Sequence, residues 1–371
     1  MSFQIDCRSV PKLLQLLIYL SIGILFPVEA QKTNSTRFRY LDSVIQSYEK
    51  KNTDSKSSVL ILEMESGIVR YVFRPEIAIE RKFSPGSLFK TFSALVFLKY
   101  KNAFSYSPEQ TIDCAGKFYP EETMEITKGD FSTFHLPKDQ NGKNYLRCSL
   151  AEGHGKVNLE QALVRSCNVY FLKIAGKNPN LFFSKLKTDW DLTNSTEARL
   201  KPYLEPSGNF EDNTTQLRMV SSAIGEGSFL VSPLKISQLY SSIWSFGHRL
   251  SPSWETAKRM KVSENPFSNR DLHFVSSMLS EVPETGTLKG LKEWNDSNIE
   301  ILGAKTGTGT QYAKKYKTHG WVTLLFKRKN QDYILTVFVE KGSGGKEAKD
   351  LVLNILKEIG RRDSQLSWRK E

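Results

Sequence analysis

Three short fragments of this chain carry side chains that can do covalent chemistry together. Ser87-Leu88-Phe89-Lys90 sets a hydroxyl three residues before an amine, Ser166-Cys167-Asn168 sets a second hydroxyl beside an amide, and Lys305-Thr306-Gly307-Thr308 adds a second amine. Residues three apart on a helix face the same way, so a helix here makes Ser87 and Lys90 neighbours. An uncharged Lys90 could then take the proton of Ser87 as its oxygen attacks a carbonyl. Bringing a lysine from about 10.4 towards neutrality takes roughly 4–5 kcal/mol of environment, which burial and a second cation both supply. Lys305 is the candidate for that cation. Ser166 can relay a proton to a leaving group and Asn168 can hold a substrate amide. Lys305 and Thr306 can bind a carboxylate, and the N–H of Thr308 can complete an oxyanion hole. Gly307 permits close approach by another backbone.

None of these fragments is decisive alone. Ser-x-x-Lys recurs elsewhere, for example at Ser47, Ser184, Ser232 and Ser367, and Ser-x-Asn at Ser207 and Ser263; only Lys-Thr-Gly is unique. Their order and surroundings carry the weight. The run from Ser87 to Tyr100 is almost continuously apolar, which suits a buried helix, and Pro85-Gly86 marks its start. Ser87 then lies in the first turn, where positive potential favours an oxyanion. Asn158 to Gly176 reads as one amphipathic helix, with Ser166 and Asn168 near its start or a local break. Val59 to Phe73 reads as two strands joined at Glu65-Ser66-Gly67, preceded by a short helix through Leu41, Val44, Ile45 and Tyr48. Strands return near 300–308, 319–326 and 332–340, and a closing helix presents Ala348, Leu351, Val352, Ile355 and Ile359 before Gly360 ends it. Strands, a long helical insertion, three more strands and a helix imply one sheet completed by both ends of the chain.

The chain of 371 residues is long enough for a full core, and 39% hydrophobic with 25% charged residues argues against disorder. The net charge of +12 suits an anionic partner such as a wall polymer or a membrane surface. Lysine and arginine are dispersed, without zinc-finger spacing or a long basic helix, so nucleic acid is not an expected partner. Arg8 and Lys12 precede an apolar run from Leu13 to Phe26, and Val28-Glu29-Ala30 offers a cleavage site. Residues 1–30 are a signal peptide or an uncleaved membrane anchor, and either places the protein outside the cytoplasm. For an exported chain, Cys114 and Cys148 could pair, which would stabilise by about 3–4 kcal/mol, or all three cysteines beyond Cys7 could stay as thiols. With no Cys-x-x-Cys pair and five scattered histidines, no metal site is expected.

The three fragments, in their order, resemble the transpeptidase domain of penicillin-binding proteins, closer to class B members, within the penicillin-recognising serine enzymes. Pro85-Gly86 before the serine, Gly153-His154-Gly155 leading to Ala162-Leu163, Gly225-Glu226-Gly227 with Ser232-Pro233, Gly286-Thr287, and Gly344-Gly345 extend the resemblance over about residues 55–360. It implies an α/β (α+β) β-lactamase/transpeptidase-like fold: a central, mainly antiparallel five-stranded sheet flanked by helices, plus a mostly helical insertion. It divides the chain into residues 31–57 as a lead-in, 58–362 as the transpeptidase domain and 363–371 as a polar tail. It makes Ser87 the acylated nucleophile, Lys90 its base, Ser166 and Asn168 the second element, and Lys305 and Thr306 the third. Fewer than thirty residues separate Ala30 from Val59, so the pedestal and glycosyltransferase domains of larger members are not expected.

The implied reaction is D,D-transpeptidation of peptidoglycan stem peptides, with β-lactams acylating the same serine and no cofactor. A membrane-bound wall-synthesis protein is an expected partner. Alternatives are a D,D-carboxypeptidase, a serine β-lactamase, or a non-catalytic β-lactam sensor or scaffold. Glu197 and Glu205 lie where class A β-lactamases keep a hydrolytic glutamate, but neither sits in a Glu-x-x-Leu-Asn pattern.

Overall fold

The computed structural model describes residues 38–367 apart from 53–54, 125–135, 193–199, 207–214, 228, 247, 255–265, 297 and 312–316. The expected targeting segment, residues 1–30, and Glu197 lie outside the described residues. In chain order the principal elements begin with α1 (Leu41–Lys51), β1 (Ser57–Glu63) and β2 (Val69–Phe73). A 3-10 turn (Gly86–Phe89) runs into α2 (Lys90–Phe104), followed by β3 (Ile112–Cys114), β4 (Lys117–Phe118), β5 (Leu146–Arg147) and β6 (Gly155–Val157). Then come α3 (Leu159–Val164), α4 (Asn168–Ala175), α5 (Pro179–Asp189), α6 (Pro233–Trp244) and α7 (Asn269–Glu281). The chain closes with β7 (Ile299–Gln311), β8 (Lys317–Arg328), β9 (Gln331–Val339) and α8 (Lys349–Ser367).

One five-stranded sheet, ordered β2-β1-β9-β8-β7 with every neighbour antiparallel, organises the molecule. The first hairpin joins the last strand, so both ends of the chain complete the sheet. Strand β1 is buried at every position. Its Leu60 and Leu62 enter one core with α2, α4, α6 and α7, while Val59 and Ile61 enter a second core with α1 and α8. A strand covered on both faces needs apolar residues at every position, which is why Val59 to Leu62 is an unbroken run.

Two helices depart from the sequence pattern. The helix expected from Asn158 to Gly176 is broken into α3 and α4, with Ser166 between them. Helix α8 does not stop at Gly360 but runs to Ser367. Glycine inside a helix costs about 1 kcal/mol relative to alanine. Three residues on, Asp363 supplies an offsetting contact: it accepts bonds from Arg328 Nε and Nη2, both 2.6 Å, and lies 2.8 Å from Lys329 Nζ. The carboxylate has no exposed side-chain area and Arg328 only 5%. Burial alone would raise Asp363, but its bonds to Arg328 and Lys329 hold it below the usual range. Four more strands, β3 with β6 and β4 with β5, escaped the sequence pattern because each has three residues or fewer.

Breaking a buried pair strands the remaining charge, so Asp363→Ala should lower the unfolding free energy by about 3–5 kcal/mol. Glu358→Ala, which frees the half-exposed Arg361 and Arg362, should cost no more than about 1 kcal/mol. Urea unfolding of the two variants checks the contrast, and equal losses would contradict it.

Candidate active site

Ser87 sits half-buried in the turn that opens α2, and the edge strand β7 lies against that turn. The approach is backbone to backbone. A Cβ added to Gly307 would lie 2.5 Å from the carbonyl oxygen of Pro85, and one added to Gly86, whose φ is +53°, would lie 2.1 Å from that of Thr308. Glycine at both positions is therefore a steric requirement for seating Lys305-Thr306-Gly307 beside Ser87.

That seating brings two amines to one hydroxyl. Lys90 and Lys305 are both fully buried, and Ser166 Oγ accepts from each at 3.1 Å. Lys90 Nζ also donates to Ser166 O and Asn168 Oδ1, both at 2.5 Å, and Lys305 Nζ to Thr306 O at 3.2 Å. Among the described residues no carboxylate bonds to either amine. Burial pushes Lys90 down from 10.5 to about 8. It pushes Lys305 well below the ordinary lysine value, and the charge of Lys90 adds to the effect. The charged form of each amine is thus disfavoured, and the pair readily holds an uncharged nitrogen. Lys90 stands at the junction of turn and helix, and the three bonds of its amine run to Ser166 and Asn168; among the described residues no hydrogen bond joins that amine to the Ser87 hydroxyl.

Ser166 owes its place to an unusual backbone. Its φ is +61°, left-handed for a residue with a side chain. The bonds Cys167 N to Ala162 O (2.8 Å) and Ser166 N to Leu163 O (3.3 Å) make a Schellman closure of α3 with serine where glycine usually stands. The reversal lets α4 start at once, with Cys167 at its N-cap. Ser149 Oγ donates to Ser166 O at 2.9 Å, and Asn168 Nδ2 to Arg147 O at 2.7 Å, so the end of β5 and the loop after it hold both motif residues. The sequence did not single out Ser149; a serine in a polar loop carries no pattern that would mark it.

The remaining expected residues are gathered as well. Thr306 is nearly buried, its Oγ1 2.8 Å from Thr287 Oγ1, while Thr308 is exposed and its hydroxyl accepts the Gly344 N–H at 3.1 Å. Glu205 accepts a bond from Ser232 at the start of α6. Cys114 and Cys148 are not bridged: their sulfurs are 3.6 Å apart, and both are free thiols along with Cys167. With His154 they form a cluster able to hold a metal ion, directly behind Ser166 and Asn168. The expectation of no metal site rested on local spacing, whereas these residues meet from separate segments.

A side chain in the left-handed region costs roughly 1–2 kcal/mol that glycine avoids. Both Ser166→Gly and Ser166→Ala delete the hydroxyl, so their difference isolates the backbone. The glycine variant should unfold at higher denaturant, by about 1 kcal/mol, and equal midpoints would refute the strain.

Comparison with known proteins bears on the family and the fold. Residues 43–357 match the penicillin binding protein transpeptidase domain. The peptidoglycan D,D-transpeptidase MrdA of Acinetobacter baumannii is 25% identical over 231 residues, which are 55% of this chain and 33% of that protein. The chain thus spans about a third of the length of that curated relative. Among solved structures, the transpeptidase domain of Burkholderia pseudomallei penicillin-binding protein 3 superposes with a TM-score of 0.68 at 17% identity, covering 91% of this chain and 98% of that one. Penicillin-binding protein PBP2 of Helicobacter pylori, solved in complex with MreC, gives 0.67 at 18% identity, over 87% of this chain and 62% of that one. The extent of the family match, over a sheet and cleft of this kind, places the chain in the penicillin-binding protein transpeptidase domain family.

Proposed function

We propose that the protein is a peptidoglycan D,D-transpeptidase working through an acyl-enzyme on Ser87. The observation that carries this reading is the hydroxyl of Ser166 held 3.1 Å from each of two buried lysines, in the cleft beside Ser87. In the first step uncharged Lys90 takes the Ser87 proton as Oγ attacks the carbonyl carbon of a D-Ala-D-Ala peptide bond. The oxyanion is met by main-chain N–H groups at Ser87 and Thr308 and by the potential at the start of α2. When the C–N bond breaks, Lys90 returns the proton through Ser166 to the departing nitrogen, and D-alanine leaves. An acceptor amine on a second stem peptide then attacks the ester, losing its proton to the same relay and freeing Ser87. Asn168 holds the substrate amide, and Lys305 with Thr306 and Thr308 receives the terminal carboxylate. A β-lactam carries a carboxylate and a strained amide in the same relation, so it acylates the same serine.

The net charge of +12 favours an anionic wall polymer, and the N-terminal apolar run fits a site of action on the outer face of the inner membrane or in the periplasm. A membrane-bound wall-synthesis protein is the expected partner, in line with the complex formed by the Helicobacter pylori relative. Glu205, one of the two glutamates a β-lactamase reading would use, accepts a bond from Ser232 at the start of α6.

Incubating the full chain and its Ser87→Ala variant with a fluorescent penicillin, then resolving both on a denaturing gel, tests this. The wild-type chain should carry a label that persists for minutes or longer, and Ser87→Ala none. It should also release D-alanine from a D-Ala-D-Ala stem peptide when an acceptor amine is present. A label that vanishes in seconds would replace transferase by β-lactamase, and a lasting label without D-alanine would replace it by a sensor. An unlabelled, folded wild-type chain would overturn acylation altogether.

A further inference from the structure

We infer that Cys114, Cys148, Cys167 and His154 Nδ1 form a closed, four-coordinate zinc site that fixes the Ser166–Asn168 turn. The argument is geometric. The Cys114 and Cys148 sulfurs lie 3.6 Å apart and those of Cys148 and Cys167 3.8 Å apart. His154 Nδ1 lies 3.7 Å from the first sulfur and 3.3 Å from the second. All four ligand atoms fall within 4.8 Å of one another. A tetrahedral zinc ion with bonds of about 2.3 Å to sulfur and 2.0–2.1 Å to nitrogen requires sulfur–sulfur edges of about 3.8 Å and sulfur–nitrogen edges of about 3.5 Å. A disulfide would draw two sulfurs to about 2.0 Å and leave the third thiol and the imidazole without a role. Three thiolates and an imidazole are also the donor set that suits zinc among common divalent ions.

The surroundings are built for such a centre. The three thiols are at most 8% exposed, although each comes from a different segment: the end of β3, the loop after β5 and the N-cap of α4. His154 arrives on the loop before β6, and that loop can press on the Cys114 strand only because residue 153 is glycine. A Cβ there would lie 2.0 Å from Cys114 O, at a φ of +89°. The Asn168 N–H donates to Cys148 Sγ at 3.2 Å, an outer bond of the kind that stabilises a ligating thiolate. With four protein ligands no position remains for water, so the ion holds structure and does not activate a nucleophile. The place it holds is specific. Cys167 stands between Ser166 and Asn168, and Cys148 grips the Asn168 amide, so the ion clamps the left-handed turn that presents Ser166 Oγ to both lysines. For an exported chain it would also keep three neighbouring thiols from oxidising. The metal assignment stands apart from the acyl-transfer reading; only its positioning role rests on that reading.

The test uses the full chain, purified without a metal-affinity step. Elemental analysis should find about one zinc per chain, and denatured protein treated with chelator should show all four cysteines as thiols. Cobalt replacing zinc in the wild-type chain should give thiolate-to-metal charge-transfer absorption and the intense visible bands of tetrahedral cobalt. Cys114→Ser should lose at least tenfold in zinc retention against a competing chelator. If it fails to fold, the wild-type cobalt spectrum and zinc count still decide the matter. Metal-depleted wild-type protein should melt at lower temperature and recover on adding zinc, and its penicillin labelling should slow at least tenfold. A Cys114–Cys148 disulfide in the purified chain, or reduced thiols with no bound zinc and no cobalt spectrum, would overturn the site. Normal zinc content with labelling indifferent to its removal would overturn the positioning role alone.

Discussion

Two amines buried beside one hydroxyl, with no carboxylate bonded to either among the described residues, are the constraint around which this cleft is arranged. Burying an ammonium without a counter-charge is costly, and the usual outcome is a shifted proton affinity rather than a surviving charge. A folded protein keeps such an arrangement only if the surrounding structure over-determines it. Here the burial comes from α2 packed in the larger core and from β7 pressed backbone to backbone against the turn that carries Ser87. The cost is spread over a sheet and helices that bury most of their apolar residues on both sides.

The same economy explains the broken helix. A continuous helix from Asn158 to Gly176 would satisfy its amphipathic pattern, yet it could not present both a main-chain carbonyl and a hydroxyl to Lys90. Reversing the chain at Ser166 does, because the left-handed residue exposes its own oxygen and hydroxyl together. Strain of this sort needs support. Ser149 and Arg147 supply it from one side and the thiol–imidazole cluster from the other, so the local cost at Ser166 is carried by contacts that reach back to β3 and β5.

Much of this was legible in the sequence, and what was not has physical reasons. Both hairpin strands, the three C-terminal strands and the buried helix after Ser87 follow from β-branched runs and long apolar stretches, and the family resemblance supplied the five-stranded sheet. Lys90, Ser166, Asn168 and Lys305 are joined by hydrogen bonds, and the strand that carries Lys305 through Thr308 packs against the turn that carries Ser87. The break at Ser166 was hidden because periodicity continues across it and the residue is not glycine. Beyond Gly360, α8 carries Asp363 into its bonds with Arg328, thirty-five positions before it, which no local pattern reports. The cysteine cluster was hidden for the same reason: Cys114 and Cys148 are 34 residues apart and become neighbours only through two strand pairs of two or three residues.

The central claim is that burial lowers the proton affinity of Lys90 into the range where it can serve as a base. Nuclear magnetic resonance titration of side-chain-labelled lysines, with the Lys90 signal assigned by its loss in Lys90→Met, measures this directly. The account predicts a resonance that ionises near pH 8, apart from the exposed lysines. A Lys90 signal that titrates with the rest near its ordinary 10.5 would contradict it.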